Sequence, residues 1–301
     1  MTSKAITGRY AQYEADQLLR KLSQQIARAI PSPCADETHD LRVAIRRFTR
    51  ALIVLKPCFP RDESLRLRRE LRPIMKQAGK VRDCDVAVRL LGKISRAGPR
   101  GATPLMQQER ENAAQALTNL LRRWMKLNLP SAWRSAGKSG VTHKRDKAFC
   151  SMAIDVTATR VLPPVVDRFF RRGKDAVRHG ASAHVIHRFR IAAKNLRYTM
   201  DLFAPLYGDS PAGLLDQLKQ IQDLLGDIND ADTVRHMLAE TGGRKILSAL
   251  KRRERKKTDE FRQHYASLLA DAGVRRQWKH TVRSAGSEVR RKMATGRRRP
   301  V

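Results

Sequence analysis

Two stretches of sequence decide the fold, namely His39-Asp-Leu-Arg42-Val-Ala-Ile-Arg46-Arg-Phe-Thr-Arg50 and His187-Arg-Phe-Arg190-Ile-Ala-Ala-Lys194-Asn-Leu-Arg197-Tyr198. They begin 148 positions apart, and in each a histidine is followed by cations at offsets of 3, 7 and either 11 or 10. On an α-helix, which turns about 100° per residue, these offsets place the histidine and the cations on one face. The opposite face is apolar, with Ile45 and Phe48 in the first stretch and Phe189 and Leu196 in the second. Each stretch therefore predicts an amphipathic helix whose cationic face lies outside the core.

The similarity between the two halves continues downstream. The segment Gly79-Lys-Val-Arg82-Asp83-Cys-Asp85 is matched by Gly226-Asp-Ile-Asn-Asp230-Ala-Asp232 at a spacing of 147. Two pairs of similar segments at nearly constant spacing are typical of an internal duplication. We therefore predict two repeats, about 10–133 and 150–283, within a single domain over residues 1–283. The basic residues 284–301 are predicted to form a disordered tail.

The charge of the chain points to a polyanionic partner. Among 301 residues, 62 are Lys or Arg and 29 are Asp or Glu, which leaves a formal net charge of +33. A hydrophobic content of 41% is enough for a real core, so this is not the composition of a disordered tail. Nucleic acid, an anionic membrane and inorganic phosphate polymers all qualify as partners. Aromatic residues make up only 5%, which disfavours a protein that stacks single-stranded bases on exposed rings.

The sequence nominates no catalytic residue, metal ligand set or cofactor. It contains no P-loop, no Gly-x-Ser-x-Gly and no His-Glu-x-x-His motif. The four cysteines show neither metal nor redox spacing, which fits a reducing cytoplasm. No stretch approaches the roughly 18 apolar residues of a membrane span, and the first residues lack the apolar run of a secretory signal. We therefore expect a soluble, cytoplasmic, non-enzymatic protein.

Helical periodicity dominates both halves, whereas strand signals are weak. In the first half the predicted helices are 15–26, 38–56, 63–77, 83–94 and 105–127, with a loop at 98–104. A linker over 134–147 is followed by helices near 152–171, 183–204, 212–225, 231–240 and 245–270, of which the first is the weakest because Pro163 and Pro164 fall within it. Breaks are predicted at 173–180, 208–213 and 241–243. Short connections favour antiparallel packing, so the predicted fold is all-α, with two pseudo-twofold-related antiparallel helical bundles.

The cationic stripes favour ligand binding over a merely solvated face. Like charges at i+3 and i+4 cost a few tenths of a kcal/mol per pair, and no acid is interspersed on the stripe to offset them. Neither His39 nor His187 has a second ligand at metal spacing, so each is interpreted as a hydrogen-bond donor. The aspartate pairs of the downstream segments are interpreted as helix N-caps or as carboxylates that orient arginines, with magnesium ligands as the weaker alternative.

Together, the duplicated His-x-x-Arg-x-x-x-basic helices and the Gly-x-x-Arg/Asn-Asp-x-Asp segments resemble the CHAD domain, the conserved-histidine α-helical domain. The similarity covers about residues 10–275. The resemblance implies two helical bundles that bind inorganic polyphosphate in a basic groove, often in proteins found on polyphosphate granules. The phosphate-contacting residues that it implies are His39, Arg42, Arg46, Arg50, Arg72, Lys76, Arg82, His187, Arg190, Lys194, Arg197 and Lys219.

The chain departs from the family pattern at two positions. Thr49 stands where the second copy has Arg197, so Arg50 is expected to substitute for it, and Asp223 stands opposite Lys76. Non-catalytic polyphosphate binding is the first hypothesis for function. A nucleic-acid-binding protein that uses the same surface is the alternative, with nucleic acid expected as the weaker competitor, and a metal-dependent phosphohydrolase is the second alternative.

Overall fold

The structure, a computed structural model, describes residues 5–94, 102–137, 144–207, 211–241, 243–270 and 272–284. Over these ranges the chain is helical apart from turns and one antiparallel β-bridge between Ile6 and Ala153, which confirms the all-α class. The α-helices of these ranges are α1 (Thr7–Ala29), α2 (Ala35–Val54), α3 (Arg61–Ile94), α4 (Ala102–Lys126), α5 (Leu129–Gly137), α6 (Lys144–Ser151), α7 (Ile154–Ala176), α8 (Ala183–Phe203), α9 (Ala212–Met237), α10 (Gly243–Ala270) and α11 (Ala272–Arg283). Short 3₁₀ turns, Lys56–Cys58 and Ala204–Leu206, follow α2 and α8. Residues 285–301 of the predicted tail lie outside the described residues.

The predicted gap between helices 63–77 and 83–94 is wrong, because α3 continues through Gly79 to Ile94 as one helix of 34 residues. The buried positions keep helical spacing across the glycine, from Ile74 and Ala78 to Val81. Burial of this stripe outweighs the roughly 1 kcal/mol by which a glycine disfavours a helix interior relative to alanine.

The second half departs from prediction in the same way, since α9 is one helix of 26 residues that includes Gly226. The aspartates of both downstream segments consequently lie inside helices. The prediction that they cap helix N-termini is wrong.

Other boundaries move for local reasons. Helix α7 passes through Gly173, where a Cβ would collide with the phenol of Tyr265, so the glycine makes room for this ring. The chain turns only afterwards, at Gly180 with φ of +77°. Helix α4 starts at Ala102, so that Pro104 lies in its first turn, where a missing N–H costs nothing. Part of the predicted linker is helical, in α5 and α6, whereas residues 138–143 are outside the described ranges.

The helices pack as two sets that share a core. Helix α1 packs on α2 and α3 on α4, as α7 packs on α8 and α9 on α10. The tryptophan of α5, Trp133, closes the first set against Phe48 and Phe59, and Trp278 of α11 closes the second against Phe169 and Phe170. The order of helices is alike in the two sets, and the internal duplication itself stays a prediction.

The two sets touch along two lines of contact, α2 against α8 and α3 against α9. A second, smaller apolar cluster joins them where α3, α4, α9 and α10 meet, and its buried members are Val86, Ala87, Leu90, Leu91, Met106, Val234, Leu238, Ile246 and Leu250. Among the described helices, none combines the length and apolarity that crossing a bilayer requires.

Candidate anion-binding site

The cationic faces of α2 and α8 meet at the contact between the two sets. Near the starts of these helices, the charges of Arg42 and Arg190 act on each other, and farther along, Arg50 Nε donates a hydrogen bond of 2.7 Å to Thr199 Oγ1. Early residues of one helix therefore face early residues of the other, and late residues face late ones. The helices run parallel, so that corresponding positions of the two stretches face each other while their apolar sides are buried in the core.

Four half-buried cations form the centre of this surface, which we call the cationic seam: Arg42, Arg46, Arg190 and Lys194. Burial, together with the charge of Arg46, lowers the pKa of Arg42 to about 10. Burial likewise lowers the pKa of Arg190, although the carboxylate of Asp230 opposes this effect. The pKa of Lys194 falls to about 6, first because of burial and then because of Arg190 and Arg46. At pH 7 the Lys194 amine is therefore mostly neutral in the empty protein.

The Nε of Arg190 is buried and has no hydrogen-bond partner among the described residues. Leaving a buried donor unsatisfied costs about 1–3 kcal/mol, and more when the group is charged. The seam thus contains both unbalanced charge and unused donor capacity, which an anion would satisfy.

Two carboxylates lie beneath the seam, where α3 and α9 approach each other. Asp83 and Asp230 occupy corresponding positions of the two downstream segments, and each feels the charge of Arg190. Burial raises the pKa of Asp83, and the charge of Asp230 raises it further, whereas Arg42 lowers it. Even with Lys194 neutral, three guanidinium groups against two carboxylates leave the seam with a positive balance.

The second aspartate of each predicted pair binds an arginine outside the seam. Asp85 Oδ1 accepts a hydrogen bond of 2.6 Å from Arg110 Nε, and Asp232 Oδ1 accepts one of 2.6 Å from Arg235 Nη2. Orientation of arginines is therefore the interpretation that the contacts favour. No group of three or more His, Cys, Asp or Glu side chains that could hold a metal occurs within the ranges that the structure covers.

The predicted residues at the start of each stripe flank the seam. His39 is largely exposed, and partial burial together with the charge of Arg82 lowers its pKa. Arg82 reaches this position from α3 and also acts on Arg42. On the other side, the exposed His187 lines, with Arg190, a cavity of about 150 Å³ between α8, α9 and α10. The two histidines are thus placed at the margins of the seam.

The predicted residues at the far end of each stripe already have partners. Arg50 is bound to Thr199, and burial and the charge of Arg168 lower its pKa to about 10. Arg197 Nε lies 4.0 Å from Asp201 Oδ1, and Arg47 lies 3.3 Å from the other oxygen of that carboxylate. The side chain of Arg50 turns toward α8, and its substitution for the cation missing at Thr49 stays a prediction.

Three further predicted cations lie on the α3 and α9 faces that lead to the seam. Arg72 and Lys76 share a helix face with Gly79 and Asp83, at offsets of 0, 4, 7 and 11. Both are exposed, as is Lys219 on α9. For none of the three does a carboxylate within the described chain come within ion-pair distance.

Three contributors to this surface escaped prediction from the sequence. Gly79 is one, because a Cβ there would lie 2.8 Å from Arg42 Nη1, so the glycine makes room for the guanidinium. A glycine between helically spaced apolar residues was the available signal for it. Arg47 was visible as an extra cation next to the stripe, whereas nothing in the sequence pointed to Arg168, which only the packing of α7 brings near Arg50.

Comparisons with known proteins agree on one fold. A family model described as CHAD domain matches residues 14–239. The crystal structure of the CHAD domain from the plant Ricinus communis superimposes with a TM-score of 0.67 at 17% identity, covering 94% of this chain and 93% of that one. PptA from Streptomyces chartreusis superimposes with a TM-score of 0.57 at 15% identity, covering 91% and 100%. No curated protein matches.

Proposed function

Because the chain belongs to the CHAD domain family, we propose that it binds inorganic polyphosphate along the cationic seam and catalyses no reaction on it. The observation that carries this proposal is that four half-buried cations from α2 and α8 meet in one place; there burial, and then the charges of Arg190 and Arg46, lower the pKa of Lys194 to about 6. Assembling these cations costs free energy in the empty protein, because like charges repel and burial removes hydration. A bound polyanion offsets that cost.

The chemistry of the ligand fits the side chains that are offered. Polyphosphate is a flexible chain of identical anions without bases, and planar guanidinium groups bind phosphate oxygens through paired hydrogen bonds. All three tryptophans, Trp124, Trp133 and Trp278, are buried in the core. The seam therefore offers phosphate contacts with no tryptophan and with Tyr198 as its aromatic neighbour, which is less stacking surface than single-stranded nucleic-acid binders use.

The predicted residues take different parts in this proposal. The four seam cations hold the phosphates nearest the contact between the two helix sets, and His39, Arg82 and His187 bind at its margins. Phosphates farther from the contact between the two helix sets bind to Arg72, Lys76 and Lys219. Arg50 and Arg197 contribute less, because Thr199 and Asp201 already occupy them. In the cell, we expect a cytoplasmic protein that associates with polyphosphate granules.

Neutralising the seam tests the proposal. The variant carries Arg42→Gln, Arg46→Gln, Arg190→Gln and Lys194→Gln, and we expect its affinity for long-chain polyphosphate to fall more than about 100-fold. The matched control removes four exposed cations of α10 through Lys251→Gln, Arg252→Gln, Arg255→Gln and Lys256→Gln. It loses four cationic side chains, at least as much charge as the seam variant, so its affinity should fall only a few-fold through the general field of the protein.

Circular dichroism of both variants reports whether the helices are retained. If the seam variant stays helical and binds as well as its control, the seam is not the site. Competition separates the alternatives, since long-chain polyphosphate should displace DNA at matched phosphate concentration, and the opposite order would favour a nucleic-acid function. Release of orthophosphate that requires magnesium and is lost in Asp83→Asn or Asp230→Asn would contradict the non-catalytic part of the proposal.

A further inference from the structure

Two cysteines that are 92 positions apart in sequence lie against each other where α6 packs on the first helix set. Cys58 ends the 3₁₀ turn after α2, and Cys150 lies in the last turn of α6. Their Sγ atoms are 2.6 Å apart. The sulfurs of a disulfide are about 2.05 Å apart, so a small approach is enough to join them. Neither sequence spacing nor the polyanion site accounts for this pair.

The surroundings hold Cys150 in place. The start of α1 runs alongside it, where a Cβ on Gly8 would lie 3.3 Å from Cys150 Cβ. Just beyond it, Thr7 donates from its backbone N–H and its hydroxyl to the carbonyl of Met152, at 2.8 and 2.9 Å. Ile154 N–H donates to the carbonyl of Ala5 at 2.9 Å. These contacts fix the backbone around Cys150, so the two thiols are held next to each other by the fold.

We propose that Cys58 and Cys150 form a disulfide that fastens α6 to the first helix set when the protein meets a small-molecule disulfide such as oxidised glutathione. The thiolate of Cys150, the more exposed of the two, attacks one sulfur of glutathione disulfide and releases one glutathione thiolate. The Cys58 thiolate then attacks Cys150 Sγ and releases the second. Two cysteine thiols are oxidised, one glutathione disulfide is reduced to two glutathione molecules, and both thiol protons end on these.

Proximity, and not exposure, selects this pair. Cys34 is more exposed than either partner, but its thiol contacts the carboxylate of Glu37 and has no cysteine beside it. Cys84 is buried in α3. Burial raises the pKa of both Cys58 and Cys150, so the exchange should be slow at neutral pH and should accelerate as the pH rises.

The test uses the full chain in a glutathione redox buffer. After alkylation of the remaining thiols in denaturant, peptide mass mapping should find Cys58 linked to Cys150, with Cys34 and Cys84 alkylated. Closing a loop of this length should raise Tm by roughly 5 °C or more. Cys34→Ser should leave the linkage and the Tm rise intact, whereas Cys150→Ser should abolish both. The proposal would be overturned if all four cysteines were alkylated in a buffer that oxidises a reference dithiol protein. A disulfide through Cys34 would also overturn it.

Discussion

Among the seam cations, Lys194 has the most strongly lowered pKa. It is half-buried among Arg42, Arg46 and Arg190, with Asp230 as the opposing carboxylate, and its pKa is about 6. The sequence alone predicts a charged side chain here, because lysine ordinarily titrates near pH 10.4. Whether it carries a proton depends on neighbours that come from α2 and α9, and no pattern within its own helix encodes them.

The first prediction concerns proton uptake on binding. A phosphate beside Lys194 favours its charged form, so binding above pH 6 should draw a proton from solution, and affinity should fall as the pH rises above about 6. Titration calorimetry in two buffers of different ionisation enthalpy measures the uptake. The control Lys194→Arg stays charged, and its affinity should depend less on pH. Equal pH dependence of the two proteins would contradict this assignment.

The second prediction concerns stability. The folded-state pKa of Lys194 is lowered, so between pH 6 and about 10 the unfolded chain binds more protons than the folded protein, and the stability contribution of this residue rises with pH. At pH 7 Lys194 therefore lowers the free energy of unfolding. We expect Lys194→Met to raise the free energy of unfolding by about 2 kcal/mol at pH 7, and by less near pH 10. Urea denaturation at the two pH values checks this, and a gain that grows with pH would refute the sign.

At the scale of helices, most elements could be predicted from periodicity, and the errors share one cause. Gly79 and Gly226 were interpreted as breaks because glycine disfavours helices locally. In the folded protein, the buried stripes on either side of each glycine keep α3 and α9 continuous. Periodicity predicts which face a helix buries. Whether the helix continues through a glycine depends on packing against partners elsewhere in the chain.

The third prediction compares these two glycines. Replacing Gly226 with alanine adds a methyl group in open space, so Gly226→Ala should stabilise the protein by about 0.5–1 kcal/mol without changing polyphosphate affinity. Gly79→Ala places its methyl group 2.8 Å from Arg42 Nη1 and must displace the guanidinium. We expect Gly79→Ala to lose the stability that alanine's higher helix propensity would add. We also expect its affinity for polyphosphate to fall several-fold. Chemical denaturation and polyphosphate titration measure both, and identical behaviour of the two variants would remove the proposed role of Gly79.

At the scale of the whole molecule, the seam exists because two helix sets are held in one arrangement. The small apolar cluster joining α3 and α4 to α9 and α10 lies at one end of this contact, and Leu91 and Leu250 are fully buried in it. The charged seam cannot supply the cohesion, because its cations repel one another. Apolar burial in this cluster and in the main core that the two sets share keeps the two stripes together.

The fourth prediction tests that cluster. Leu91→Ala should cost about 2–5 kcal/mol of stability and should also weaken polyphosphate binding at temperatures where the protein remains folded, because the two sets lose part of their shared contact. Leu22→Ala, in α1 within the first set, should cost a similar amount while affinity is retained. Stability comes from denaturation and affinity from titration. An equal effect of both variants on affinity would show that the cluster does not position the seam.

The sequence by itself determined the all-α class, the buried faces of α2 and α8, and the cationic stripes from His39 and His187, because helical periodicity and charge are local properties. The candidate residues of the site could be named in advance because the resemblance to the CHAD domain adds to these local patterns. Only the tertiary structure decided that Arg42 lies over Gly79, that Asp83 meets Asp230, and that Cys58 meets Cys150. These contacts depend on how separate helices cross, and helix crossing is set by the packing of many buried side chains at once.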